Sequence, residues 1–242
     1  VPVTLQNAAQ ISEVARLEIA NLFDAALSPD GALLAVASSQ RLALYSVSEL
    51  QATPRAIPAI SGDVMLVSFS PAGDLLAVVD SEGIVSLASI ADGEVAAQVE
   101  TGSGIGAIAF NPEGSLLAAG TADSRLIIVD TATGGIVESL AAGSPVTAVA
   151  FSPDGSLLAV GSADNRLTLW DATEWRSLNS YEQGRPVRAI VFTPDGVLVA
   201  TADGLGVVTR FVVSGERLRT LVGHAAEVGV LSFSPDGALL AS

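Results

Sequence analysis

Few side chains in this 242-residue chain can attack a carbon, move a proton at neutral pH or bind a soft metal. There is one histidine, His224, with no cysteine and no lysine. A lone imidazole without a thiol removes most nucleophile and base pairs and most transition-metal clusters. Carboxylates remain, but none is grouped at the close spacing of a calcium loop. Asp63 and Glu227 share a register position, each eight residues before a repeated proline. If that position lies at the mouth of a central channel, the two acids could bind a cation; otherwise they are solvated loop acids. A second candidate is the segment from Trp175 to Arg188. With the neighbouring Arg166 it holds four of the eleven arginines, one of two tryptophans and one of two tyrosines. Aromatic and arginine side chains are favoured interface anchors, so Trp175, Tyr181, Arg185 and Arg188 are candidate partner-binding residues between the fourth and fifth repeats. The plainer alternative is an outer strand whose long side chains cover a sheet edge. No residue is assigned a catalytic role, and no cofactor or metal is expected.

The elements that position these residues follow from one turn, Ser152-Pro153-Asp154-Gly155, which recurs six times. Its prolines are Pro29, Pro71, Pro112, Pro153, Pro194 and Pro235, at intervals of 42, 41, 41, 41 and 41 residues. Two residues after each stands a glycine, and six after each an alanine. Serine, proline and glycine at these places suit a type I turn, with the glycine at positive φ closing a three-residue hairpin with a bulge. The repeated Asp30, Asp154, Asp195 and Asp236 are turn residues, and that role explains them. The fourth repeat predicts strands over 146–152, 156–161, 166–171 and 177–182, the last more polar. Four strands in 41 residues make a small antiparallel sheet. The first three are apolar on both faces, as expected when each sheet is sandwiched between neighbours. The predicted fold is therefore all-β, a single-domain β-propeller over residues 1–242 with six repeats.

The formal net charge of −15 arises from 26 acids against 11 arginines. Such a surface disfavours nucleic acid and anionic membranes, which need basic groups to meet phosphate. Half the residues are hydrophobic, yet the longest uncharged run, Ser139 to Pro153, is 15 residues long and broken by glycine, serine and proline. That is too short to predict a transmembrane segment. The absence of cysteine fits either redox compartment, and a first residue that is Val rather than Met marks either a processed terminus or an artificial boundary; together they give a weak lean towards an extracytoplasmic protein and leave the compartment open.

The stretch Gly161-Ser162-Ala163-Asp164-Asn165-Arg166-Leu167-Thr168-Leu169-Trp170-Asp171, preceded by the turn, resembles a WD40 repeat, and Gly223-His224 is similar to that family's Gly-His dipeptide. The resemblance covers essentially the whole chain through its turns and strands. The Trp-Asp pair is intact only at Trp170-Asp171 and becomes Val129-Asp130 in the third repeat. In that family a His, a Ser, an Asp and a Trp of one blade often form a buried network. The fourth repeat supplies Ser162, Asp164 and Trp170, but its His position is Ala142. The resemblance implies a noncatalytic interaction scaffold that presents a propeller rim to a protein or peptide partner. The alternatives are a ligand- or cation-binding, even hydrolytic, propeller using its channel, and a structural subunit of a larger complex.

Closure of the ring is the remaining question. If the ends are joined, 36 residues run from Pro235 round to Pro29, five short of a repeat. Residues 1–22 are then expected to complete the last blade, with Val1 to Leu5 as its third strand and Ser12 to Ile19 as its fourth. The competing expectation is a fragment of a seven-bladed propeller.

Overall fold

The computed structural model describes residues 16–39, 42–57, 60, 63–204, 207–212 and 217–242, with side chains outside 205–219. Strand, turn and strand alternate throughout, and each group of four strands closes into one antiparallel sheet. Blade 1 holds β1 (Leu22–Leu27), β2 (Leu33–Ser38), β3 (Leu42–Ser46) and the short β4 (Arg55–Ala56). Blade 2 holds β5 (Val64–Phe69), β6 (Leu75–Asp80), β7 (Ile84–Ser89) and β8 (Val95–Glu100). Blade 3 runs through β9 (Ile105–Phe110), β10 (Leu116–Thr121), β11 (Arg125–Asp130) and β12 (Ile136–Ala141). Blade 4 comprises β13 (Val146–Phe151), β14 (Leu157–Ser162), β15 (Arg166–Asp171) and β16 (Arg176–Glu182). Blade 5 comprises β17 (Val187–Phe192), β18 (Leu198–Asp203), β19 (Val207–Val212) and β20 (Arg217–Val222). The sixth repeat contributes a two-stranded sheet, β21 (Ser232–Phe233) with β22 (Leu240–Ala241). The first strands of successive blades pack side by side, β1 on β5, β5 on β9, β9 on β13, β13 on β17 and β17 on β21.

Burial explains the apolar strands. The core is a series of layers between neighbouring blades. Leu126 and Ile128 of blade 3 meet Leu158, Val160 and Trp170 of blade 4, while Leu167 and Leu169, on the other face of that sheet, meet Phe192 and Val199 of blade 5. A strand whose alternate residues each enter a core must be apolar at every position. The fourth strands lie outside, and Ile136–Leu140 and Arg176–Ser180 are mainly exposed.

The repeated turn is a hydrogen-bonded unit. The Gly155 N–H donates to Ser152 O and the Ser152 N–H to Leu157 O, both at 2.9 Å. Ser152 Oγ accepts from the Leu157 N–H and donates to Asp154 Oδ1. The hairpin is thus closed across four residues rather than the expected three. The serine hydroxyl takes the N–H that a second backbone bond would otherwise satisfy. All six turn glycines have positive φ, from 70° to 75°. Hydrogen bonds hold the carboxyls of Asp30, Asp154, Asp195 and Asp236 below the usual carboxylate range, the turn hydroxyl foremost. These turns also touch one another. A Cβ on Gly155 or Gly196 would lie 3.5 or 3.6 Å from Pro112 or Pro153 in the preceding blade.

The amino-terminal expectation needs correction where it can be compared. Arg16 to Ile19 are not a strand. Leu17 and Ile19 instead lay side chains against Val36, Ala43 and Tyr45 on the outward face of blade 1, and Gln51 Nε2 donates to Arg16 O. Apolar packing, rather than ladder pairing, accounts for the rough alternation there. The remaining part, Val1 to Leu5 and residues 12–15, lies outside the described residues.

Candidate interaction surface

Strand pairing sorts the loops into two ends. Val146 opposes Ser162 and Arg166 opposes Glu182, so the loops 142–145, 163–165 and 183–186 emerge together. The turns at 152–155 and the 172–175 connection lie at the other end, since Leu157 opposes Asp171, which opposes Arg176.

A central cavity of about 300 Å³ is walled by the first strand of each blade and by the approach to β21. Its walls are small and apolar at most positions, among them Ala107, Ala148 and Ala189, with polar Asp24, Thr147 and Arg188. The first strands are bulged at their second residue, between Val146 and Ala148 in blade 4 and between Val187 and Ala189 in blade 5. A bulge re-aims its side chain, and here the bulged residue reaches the next blade. Thr147 Oγ1 donates to Val187 O at 2.6 Å. Arg188 Nε pairs with Glu227 Oε1 at 3.1 Å. Gly106 is so close to blade 4 that a Cβ would fall 2.3 Å from Val146 O. These contacts stitch the ring at the channel, although the exposed Arg188–Glu227 pair contributes only about 0–1 kcal/mol.

The structure brings together two candidates that the sequence kept apart, Arg188 from the arginine-rich segment and Glu227 from the pair of loop acids. Glu227 is held by an arginine, an arrangement that competes with a cation. Asp63 is exposed just before β5, its carbonyl accepting from the Ser81 N–H, and does not line the cavity. Among the described residues no three His, Cys, Asp or Glu side chains are grouped to hold a metal ion.

The four aromatic and arginine candidates do not form one patch. Trp175, with φ of 51°, packs on the blade 3–4 layer at the turn end. Tyr181 packs on the blade 4–5 layer, one strand length away, about 20 Å at the usual rise. Burial raises the Tyr181 phenol above its ordinary range. Arg185 and Arg188 are exposed at the loop end, and Arg185 enters no ion pair among the described residues.

One residue of this end was missed from the sequence. Asp24 occupies the column filled by Leu66, Ala107, Ala148, Ala189 and Val230 in the other repeats, each five residues before the turn proline. Its Oδ2 accepts from the Val67 N–H at 3.0 Å and its Oδ1 from the Ala25 N–H at 2.8 Å, bridging blades 1 and 2. Burial pushes its carboxyl up, against those two bonds. A charge in an apolar column was the available signal.

Three stretches of the chain, residues 96–130, 136–171 and 215–242, match the family described as "WD domain, G-beta repeat". No curated protein matches the chain. Among solved structures, a chain of the one described as "Crystal Structure of Mitotic Checkpoint Complex" superposes with a TM-score of 0.82 at 21% identity, covering 90% of this chain and 70% of that one. The matched stretches take in most of β8, the four strands of blade 3, the first three strands of blade 4 but not β16, and β20 with the sixth repeat. From its packed four-stranded sheets and that superposition this chain folds as a β-propeller, and three of its stretches are similar to the WD40 repeat.

Proposed function

We propose that the chain is a noncatalytic interaction scaffold that holds a protein or peptide partner at the end where the loops 183–186 and 223–227 emerge. The observation that carries this reading is the exposed arginine pair there. Arg188 is tied to Glu227 across blades 5 and 6, while Arg185, three residues before it, is exposed and enters no ion pair among the described residues. An unpaired arginine fork next to a fixed charge pair suits a carboxylate or backbone carbonyl of a polypeptide. The neighbouring structure described as a complex fits an assembly role. The opposite end is occupied by hydrogen-bonded turns whose aspartates already have partners.

The test is selection of peptides from a display library on the intact protein, followed by affinity measurement on variants. Arg185→Glu and Arg188→Glu should each weaken binding by about tenfold or more, about 1.4 kcal/mol. Val197→Ser, exposed at the turn end, should leave it unchanged. Peptides that bind the two arginine variants as tightly as the parent would overturn the assignment of this end.

A further inference from the structure

The central cavity is bordered by one carboxylate that no opposite charge offsets. The column five residues before each turn proline, Asp24, Leu66, Ala107, Ala148, Ala189 and Val230, borders it in all six repeats. Five members are apolar, and Asp24 is only half-buried. None of the ion pairs among the described residues includes Asp24. The cation that borders the same cavity, Arg188, is engaged by Glu227.

The carboxylate has acceptor capacity left. Its Oδ1 takes the Ala25 N–H and its Oδ2 the Val67 N–H, whereas each oxygen of an ionised carboxyl has two acceptor sites. One position on each oxygen is therefore open among the described residues. Burial raises the carboxyl, as it does wherever a negative charge is desolvated without a counter-charge, and a nearby cation relieves that cost. A cavity of about 300 Å³ has room for one long side chain, and Ala107, Ala148 and Ala189 suit the apolar stem of such a group. The formal charge of −15 draws cations rather than anions towards the chain.

We infer that the central cavity is a binding site for the guanidinium of an arginine side chain, anchored by Asp24 and presented by a partner peptide at the loop end. The planar fork donates one N–H to the open position of each Asp24 oxygen, a bidentate pair. An ammonium is a point charge without that fork, so lysine fits less well. The inference rests on the scaffold reading only for the source of the side chain, a peptide crossing the same end as Arg185.

The test titrates the full chain with acetyl-arginine amide at pH 7, against acetyl-lysine amide and against acetyl-citrulline amide, which has nearly the same shape and no charge. The Ala25 and Val67 amide signals in an ¹H–¹⁵N spectrum report on Asp24, because both N–H groups donate to it. The arginine probe should shift both signals saturably and bind several-fold tighter than the lysine probe, and the citrulline probe should leave them in place. Asp24→Asn should weaken binding by about tenfold or more. Ala107→Leu fills the cavity with a side chain that the same column already carries at Leu66, should weaken binding likewise, and serves if the asparagine variant does not fold. Amides unmoved by the arginine probe, equal affinity for either comparison probe, or unchanged affinity in the variants overturns the inference. Selected peptides that need Arg185 yet bind equally after their own arginines are replaced by citrulline would remove this site and leave the scaffold reading standing. An arginine probe that binds at Asp24 while no peptide is selected would do the reverse.

Discussion

Replacing Gly155 with alanine should lower the stability of the chain by about 1 kcal/mol, for a reason confined to one dihedral. Gly155 sits at a φ of 72°, where an L-residue with a Cβ costs about 1–2 kcal/mol. Replacing glycine also stiffens the unfolded chain, which returns about 0.4–1 kcal/mol. Sterics add little, because the new Cβ would meet Glu113 Oε2 at 3.4 Å and Pro112 Cδ at 3.5 Å, ordinary contact distances. The two contributions leave roughly 1 kcal/mol, which for a chain of this size corresponds to a Tm lower by about 2–4 °C. Asparagine tolerates the left-handed region, so Gly155→Asn should lose clearly less than Gly155→Ala. Urea unfolding of the three proteins, followed by circular dichroism, reads the difference. An alanine variant as stable as the parent, or an asparagine variant that loses as much as alanine, would refute the assignment of the cost to positive φ.

Gly161 tests packing instead of dihedral strain, since a Cβ there would lie 2.6 Å from Val187 Cγ1 of the next blade. Gly161→Ala should cost about 1–3 kcal/mol by overpacking, and Val187→Ala added to it should recover part of that loss in the same urea assay. Thr147→Val removes the hydroxyl that bonds Val187 O and leaves that carbonyl short of a donor, so it should destabilise by about 1 kcal/mol. Asp24 has a folded pKa above its unfolded value, so protonation stabilises the fold at low pH and that contribution is lost as pH rises through the folded pKa. Asp24→Asn can keep only one of the two accepted N–H bonds, since an amide nitrogen does not accept, so the test is the pH dependence: the Tm of the parent relative to this variant should fall as pH rises from about 4 to 7. The turn aspartates have lowered values, so their contribution is present above the unfolded pKa and lost as pH falls through the folded one; Tm measured against pH should decline from about pH 4 downward.

The blades were legible because a turn repeated every 41 residues gives both the hairpin corner and the register of every strand around it. The positive φ at Gly155 and the exposure of the fourth strand follow from residue types and spacing within one repeat. What escaped the sequence lies between repeats. Asp24 and the Val67 N–H are one blade apart, and so are Thr147 and Val187 O; nothing in a single repeat says that a bulge will aim one at the other. The split of Trp175 from Arg185 was hidden for a related reason. Residues close in sequence sit at opposite ends of β16, a strand seven residues long. The four-residue hairpin loop differs from the three-residue expectation because the Ser152 hydroxyl substitutes for a backbone acceptor, a side-chain contribution that turn patterns count only as a preference.

The most direct measurement of the central claim is amide hydrogen exchange on the intact chain with and without a selected peptide. The scaffold reading predicts added protection in residues 183–188 and 223–228, where Arg185, Arg188 and Glu227 emerge. Protection confined to the turns at 152–155 and 193–196, at the opposite end, would contradict it.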